Sequence, residues 1–342
     1  FSNDAKGALL LEPTRSNLWT NSNLSGSITL NGLTRTLNQT VSPSGNNDAA
    51  LFNETATTGT HRFYRLDIPS TSTDFSMSFF AKKNGINIIR TVAQGGTKFA
   101  DFNLSLGTVS NESGVNSSVI EDYGNGWYRC IINVTASGWV GLYTLNDSSQ
   151  NSYLGNVSKG VYLYGAQLEQ GSYATSYIPT QGSAVTRVAD ACNNGANEQV
   201  INSTEGVLYA EISAFSTTDA SGNISLSDGG GDNRIYIYYL LDNSISVIHE
   251  MNNNTGEINN FTVTDITLQN KIAVKWGNSN ITIFINGIKV LDKASGNFAT
   301  NSLNLINFSK PDESVSFQGK TKDLRVYNTA LTDNELATLT SL

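Results

Sequence analysis

Two histidines, His61 and His249, are the only side chains in this chain that ordinarily titrate near neutral pH. The acidic pairs Glu121-Asp122 and Asp312-Glu313 occupy adjacent positions. On a strand adjacent side chains point to opposite faces, and in a turn they are solvated. Glycoside hydrolysis needs two carboxylates facing one bond, and neither pair supplies that. A lyase-type base beside an arginine could be built only at His61-Arg62-Phe63-Tyr64-Arg65, where Arg62 and Tyr64 share one face and His61, Phe63 and Arg65 the other. A half-exposed strand explains that pattern as well. No Gly-x-Ser-x-Gly elbow and no His/Cys metal spacing is present, and Gly229-Gly230-Gly231 lacks the Lys-Ser/Thr of a phosphate loop. The expectation is a chain without catalysis and without a cofactor.

Binding chemistry is better represented. Arg234, Tyr236 and Tyr238 alternate along Arg234-Ile-Tyr-Ile-Tyr238, so a strand would line them up on one face. Such a row could stack a sugar ring and hold its hydroxyls. Trp19, before a polar run, reads as half-exposed and Trp139, after Gly138, as sitting at a strand edge; they form a second candidate pair. Trp127 and Trp276 lie in alternating apolar runs and read as core. Asp228-Gly-Gly-Gly-Asp232-Asn233 carries oxygen ligands of the kind calcium accepts, but also reads as a tight turn, and no metal is assigned to it. Cys130 reads as a buried thiol within a strand. A disulfide to Cys192 is not fixed by sequence.

The elements that position these residues are strands. Period-two alternation marks Phe75–Phe80, Trp127–Val134, Val161–Gln167, Val207–Ile212, Arg234–Tyr238, Ile272–Trp276, Ile281–Ile285 and Leu324–Tyr327. Asn31-Gly32, Asn84-Gly85, Asn125-Gly126 and Asn286-Gly287 punctuate them, the last a type I′ hairpin signal. In the segment Tyr162–Asp190, Val161, Leu163 and Gly165 point one way and Tyr162, Tyr164 and Ala166 the other. Helical periodicity is confined to Thr332–Leu339, where Thr332 and Glu335 form a capping box. The fold class expected is all-β: two antiparallel β-sandwich (jelly-roll) domains, 1–186 and 187–342, with a short C-terminal helix.

Composition narrows the partners. The hydrophobic fraction of 39% supports folded cores, and a charged fraction of 15% is low, with Ser, Thr, Asn and Gly in its place. That is the surface of an extracellular or virion β protein. A net charge of −8 and the lack of a basic stripe exclude nucleic acid and disfavour anionic membranes. No apolar run is long enough for membrane insertion. The chain begins at Phe1, which reads as a processed form or a portion of a longer protein.

Several blocks resemble segments of bacteriophage tail-fibre and other virion proteins: GALLLEPTRSNL from Gly7, GNGWYRC from Gly124, YLYGAQLEQGSYATSYIPT from Tyr162, ADAC from Ala189 and STEGVLYAE from Ser203. The first half is similar to the jelly rolls of carbohydrate-binding modules. The Asn280–Leu291 hairpin and the closing strand before Ala330-Leu-Thr-Asp-Asn-Glu-Leu336 resemble concanavalin-like, laminin-G-like domains. The clustered Glu-x-Asp-x-x-Glu strand of that family's glycosidases is not in this chain. The resemblance implies a non-enzymatic tail or head fibre protein on the virion surface. Its partners would be a host-surface glycan and other virion subunits, and its assembly state a homo-oligomer, as a trimer. The alternatives are a carbohydrate-binding region of a secreted polysaccharide-degrading enzyme and a purely structural decoration protein.

Overall fold

A computed structural model describes residues 7–68, 73–219, 222–252 and 257–342, with side chains 66–68 outside the description. The described residues form an all-β chain in which every strand pairing is antiparallel. They divide into two compact units, Thr14–Val188 and a second made of the residues up to Pro13 with Ala189–Leu342. The division therefore differs from a cut near residue 187 at one place. The strand Leu9–Leu11 pairs with Gly319–Thr321 and extends a sheet of the second unit. Three successive leucines carry no alternation to announce such a long-range pairing.

The unit Thr14–Val188 is a sandwich of two six-stranded sheets. One has the order Thr108–Ser113, Lys98–Asn103, Ile88–Ala93, Gly138–Leu145, Arg62–Ile68, Thr29–Asn31. The other runs Ser117–Asp122, Trp127–Thr135, Asp74–Asn84, Gly160–Gln170, Ala49–Glu54, Leu33–Thr40. Phe52, Phe63, Phe79, Phe102 and Leu142 fill the space between them. Alternation built Gly160–Gln170, but the register slips between Tyr164 and Gln167. Gly165 sits at φ 63°, and this bulge puts Ala166 on the core side with Leu163, not beside Tyr164. Tyr164 instead joins Phe80 and Trp127 in a separate buried cluster on the outer face of that sheet. Trp127 is thus buried as expected, but outside the main core, its indole N–H donating to the Val41 carbonyl at 3.1 Å.

The second unit pairs a six-stranded sheet with a five-stranded one. The larger has the order Leu9–Leu11, Gly319–Tyr327, Gly206–Ser213, Asn270–Gly277, Asn280–Ile285, Ile288–Ala294. The smaller runs Glu257–Thr262, Ser244–Glu250, Arg234–Leu240, Asn223–Ser227, Leu305–Asn307. Trp276, Ile237, Tyr239, Val247 and Phe317 belong to the core between them. The hairpin turns at Asn286-Gly287 with φ of 51° and 83°, the left-handed pair a type I′ turn needs.

The helix Asp333–Thr340 begins at Thr332, whose hydroxyl caps the Glu335 amide while the Glu335 side chain returns to the Thr332 amide. Leu336 packs on Val207, Tyr209, Ala273 and Phe284, on the outer face of the six-stranded sheet. Lys275 and Lys289 both reach Asp333, at 2.9 and 2.7 Å. The helix therefore covers that face, while the outer face of the five-stranded sheet carries a cleft. Both cysteines are free: Cys130 is buried, which pushes its thiol pKa up, and Cys192 is exposed.

Candidate ligand-binding site

In Arg234–Leu240 the pleat sends Ile235, Ile237 and Tyr239 into the core and Arg234, Tyr236, Tyr238 and Leu240 to the other face. That face forms the floor of a cavity of about 660 Å³. Ile248, opposite Tyr236 on the neighbouring strand, and Asn223, opposite Tyr238, extend the floor. One wall is the loop Gly229–Gly231; the other is the segment Lys310–Val315. That segment is held across its base by the pairing of Ser309 with Ser316, and Ser316 bridges in turn to Asn223.

The glycine loop is a closed turn. One carboxylate oxygen of Asp228 accepts the Gly230 amide at 2.7 Å, and the other accepts the Asn233 amide and side chain, both at 3.1 Å. The Asp228 carboxylate is thus engaged in organising the loop. Among the described residues no three His, Cys, Asp or Glu side chains are grouped to share a metal ion.

Electrostatically the cleft is balanced. Arg234 forms an ion pair with Glu250, its cross-strand neighbour. Across the cleft, Asp312 accepts from the Ser314 hydroxyl and amide, which lowers its pKa. Lys310 stands near Asp312 and contributes to the same lowering. The Arg234 guanidinium also lies over the Tyr236 ring, 5.1 Å from its centroid. Burial raises the Tyr236 pKa despite that cation, so the phenol stays protonated and able to donate.

The structure therefore brings Arg234, Tyr236 and Tyr238 together, and corrects the role of one. Tyr236 is only 5% exposed, with the Arg234 guanidinium over its ring, and that burial makes it no open stacking platform. Tyr238 is half-buried, with Leu240 and Ile248 as apolar company. Sequence reasoning misses Lys310, Pro311 and Val315, since nothing local ties a loop 70 or more residues downstream to this strand; the Pro-Asp-Glu-Ser turn is its one visible signal.

The second candidate pair does not exist. Trp19 is 1% exposed, packed edge-on against Phe63 and Phe79 at 6.3 and 5.4 Å. Its amide donates to the buried Asn17 side chain at 2.9 Å, and Asn17 in turn donates to the carbonyls of Ala166 and Ile178. This clamp turns the chain inward and drives the indole between the sheets. Trp139 is half-buried on the outer face of the Thr108–Ser113 sheet, against Tyr64 at 5.2 Å.

Neither histidine lines the cleft. His61 is buried in the other unit with its ring 4.7 Å from Tyr153. His249 pairs with Ile235, on the core side of the strand, and burial lowers its pKa. A smaller cavity of about 270 Å³ in the unit Thr14–Val188 is lined by Glu54, Asp147 and Tyr153. Its buried Glu54 carboxylate already accepts from Tyr153, Thr144 and the Asn156 amide.

Residues 196–337, which hold the whole cleft, match the family model described as the concanavalin A-like lectin/glucanases superfamily. No curated protein matches the chain. Among solved structures, the CBM40 of an IT-sialidase from Ruminococcus gnavus, bound to α2,3-sialyllactose, is similar at 15% identity over 44% of this chain and 97% of that one, with a TM-score of 0.36. A heptameric SAP-like pentraxin from Limulus polyphemus is similar at 13% identity over 44% of this chain and 74% of that one, TM-score 0.36. Domain 4 of AbnA, an extracellular GH43 arabinanase from Geobacillus stearothermophilus, in complex with arabinotriose, gives 14% identity over 50% and 81%, TM-score 0.35.

Proposed function

We propose that this chain is a non-catalytic glycan-binding protein that takes a neutral or weakly polar sugar in the cleft of its second unit. The observation that carries the reading is the pairing of Arg234 with Glu250 on the same strand face as a half-exposed Tyr238. The cation is neutralised, so the cleft offers an aromatic face, apolar neighbours and hydrogen-bond donors without net charge. That combination suits a sugar ring and its hydroxyls. The family match over the same residues supports a lectin-like role. Single-site affinity is expected to be weak, about 0.1–1 mM or −4 to −5.5 kcal/mol.

The match favours the carbohydrate-binding region of a polysaccharide-degrading protein as the setting. The tail-fibre-like blocks at Gly124–Cys130 and Tyr162–Thr180 support a second setting, a virion surface appendage that attaches to host glycans. There, repeated copies in a trimer would raise avidity. A glycan array followed by titration of the best neutral hit tests the binding. Tyr238→Ala is expected to weaken it about tenfold or more, given stacking worth roughly 0.5–1.5 kcal/mol plus buried area. Affinity unchanged in Tyr238→Ala, or no glycan bound, would remove the reading. Released reducing ends from the same glycan would remove its non-catalytic part.

A further inference from the structure

The outer face of the first unit's other sheet carries a row of polar side chains that crosses all six strands. Registers place Asn31 beside Arg62, Arg62 beside Tyr143, Tyr143 beside Arg90, Arg90 beside Asp101 and Asp101 beside Asn111. Phe63, Leu142, Ile89 and Phe102, one residue along in each central strand, point into the core, so the row faces out.

The two arginines of this row differ in one respect. Arg90 is closed on itself: Nε and Nη2 reach the two oxygens of Asp101 at 2.5 and 2.8 Å, and Asn111 donates to the same carboxylate. Arg62 has no carboxylate partner among the described residues. It donates once, to the Tyr143 hydroxyl at 2.6 Å, and its buried Nε has no hydrogen-bond partner. Three rings surround its guanidinium, those of Tyr64, Tyr143 and Trp139, with centroids at 5.1, 5.4 and 5.5 Å. The turn Gln94–Gly96 closes the side next to Trp139. A guanidinium is planar and has five donors, a geometry that matches a carboxylate. Here most of those donors remain unspent, and a half-buried indole lies alongside to take a ring face.

We infer that this face is a second binding site, specific for an acidic sugar of the hexuronate class. The sugar carboxylate sits on Arg62 and the ring lies against Trp139 and Tyr64. This is the opposite selectivity to the cleft in the other unit, where the arginine already has its carboxylate. The inference stands whether or not that cleft binds sugar.

The test is a titration of the full chain with trigalacturonate and with its methyl ester, which keeps the rings and removes the charge. Intrinsic tryptophan fluorescence is a suitable readout, since Trp19, Trp127 and Trp276 are buried and Trp139 is not. Trigalacturonate should change the fluorescence and bind at least about tenfold more tightly than the ester, since a hydrogen bond to a charged group is stronger than one to a neutral group. Arg62→Met should abolish that preference, Arg62→Lys should restore part of it, and Lys293→Met, an exposed cation elsewhere, should leave it as in wild type. Equal binding of acid and ester by the unaltered chain would overturn the inference, even if the Arg62 variants fail to fold. So would a preference retained in Arg62→Met, or no binding of trigalacturonate.

Discussion

The Arg234 guanidinium lies 5.1 Å from the centroid of the Tyr236 ring, two residues along the same strand. Arg62 and Tyr64 repeat the relationship in the other unit, at the same 5.1 Å. Positions i and i+2 share a strand face, so the pattern Arg-x-Tyr sets the two side chains on one side of the sheet, although at Arg325-Val-Tyr327 the guanidinium lies over Tyr209 instead. The neighbouring strand sets its chemical character. Glu250 stands across from Arg234, whereas Tyr143 stands across from Arg62. The same local motif is neutral in one unit and cationic in the other.

Removal of one partner of the Arg234–Glu250 pair should be worse than removal of both. Glu250 is 8% exposed, and Arg234→Met would leave its carboxylate without a cation. A cost of about 1–3 kcal/mol is expected, the desolvation of an unsatisfied polar group. Adding Glu250→Gln should recover a good part of it. Denaturant unfolding of the two single variants and the double variant measures this directly.

Gly165→Ala should destabilise the unit Thr14–Val188. The backbone there is at φ 63°, and an added Cβ would lie 2.7 Å from the Phe80 ring. A loss of roughly 1–3 kcal/mol is expected for a strained left-handed residue. Thermal unfolding at fixed pH checks it, with Gly182→Ala as the comparison: Gly182 is also at positive φ, but its Cβ meets nothing within 4 Å.

Stability should fall as the solution becomes acidic, in part through His249. Burial lowers its pKa in the folded protein. The unfolded chain therefore binds the proton more readily, and stability rises with pH while the unfolded histidine is losing it. The contribution is complete above about pH 6.5 and is lost as pH falls below that, towards the depressed folded value. His249→Gln should flatten this part of a stability–pH curve. A curve unchanged between pH 5 and 7 in that variant would contradict the assignment.

Much of this architecture was legible in the sequence. Arg234, Tyr236 and Tyr238 share a face because alternation is a local property, and Thr332–Glu335 cap a helix for the same reason. The signals failed where a distant segment decides the outcome. Trp19 precedes polar residues, yet Asn17 ties its segment to carbonyls about 150 residues away and buries the indole. Tyr236 lies on the expected face but is buried there. Leu9–Leu11 finds its partner at Gly319–Thr321, and Lys310–Val315 walls a cleft whose floor begins at Asn223. Alternation alone puts Arg62 and Tyr64 on one face, but Tyr143, Arg90 and Asp101 join them only through cross-strand register.

The claim that a neutral sugar occupies the second unit's cleft is tested most directly by amide chemical-shift mapping with the best neutral glycan from an array. The account predicts saturable shifts at Gly229–Gly231, at Tyr238, at Lys310 and along Asp312–Val315, little changed by added salt. Shifts confined to the unit Thr14–Val188, or binding that weakens steeply as salt rises, would contradict it.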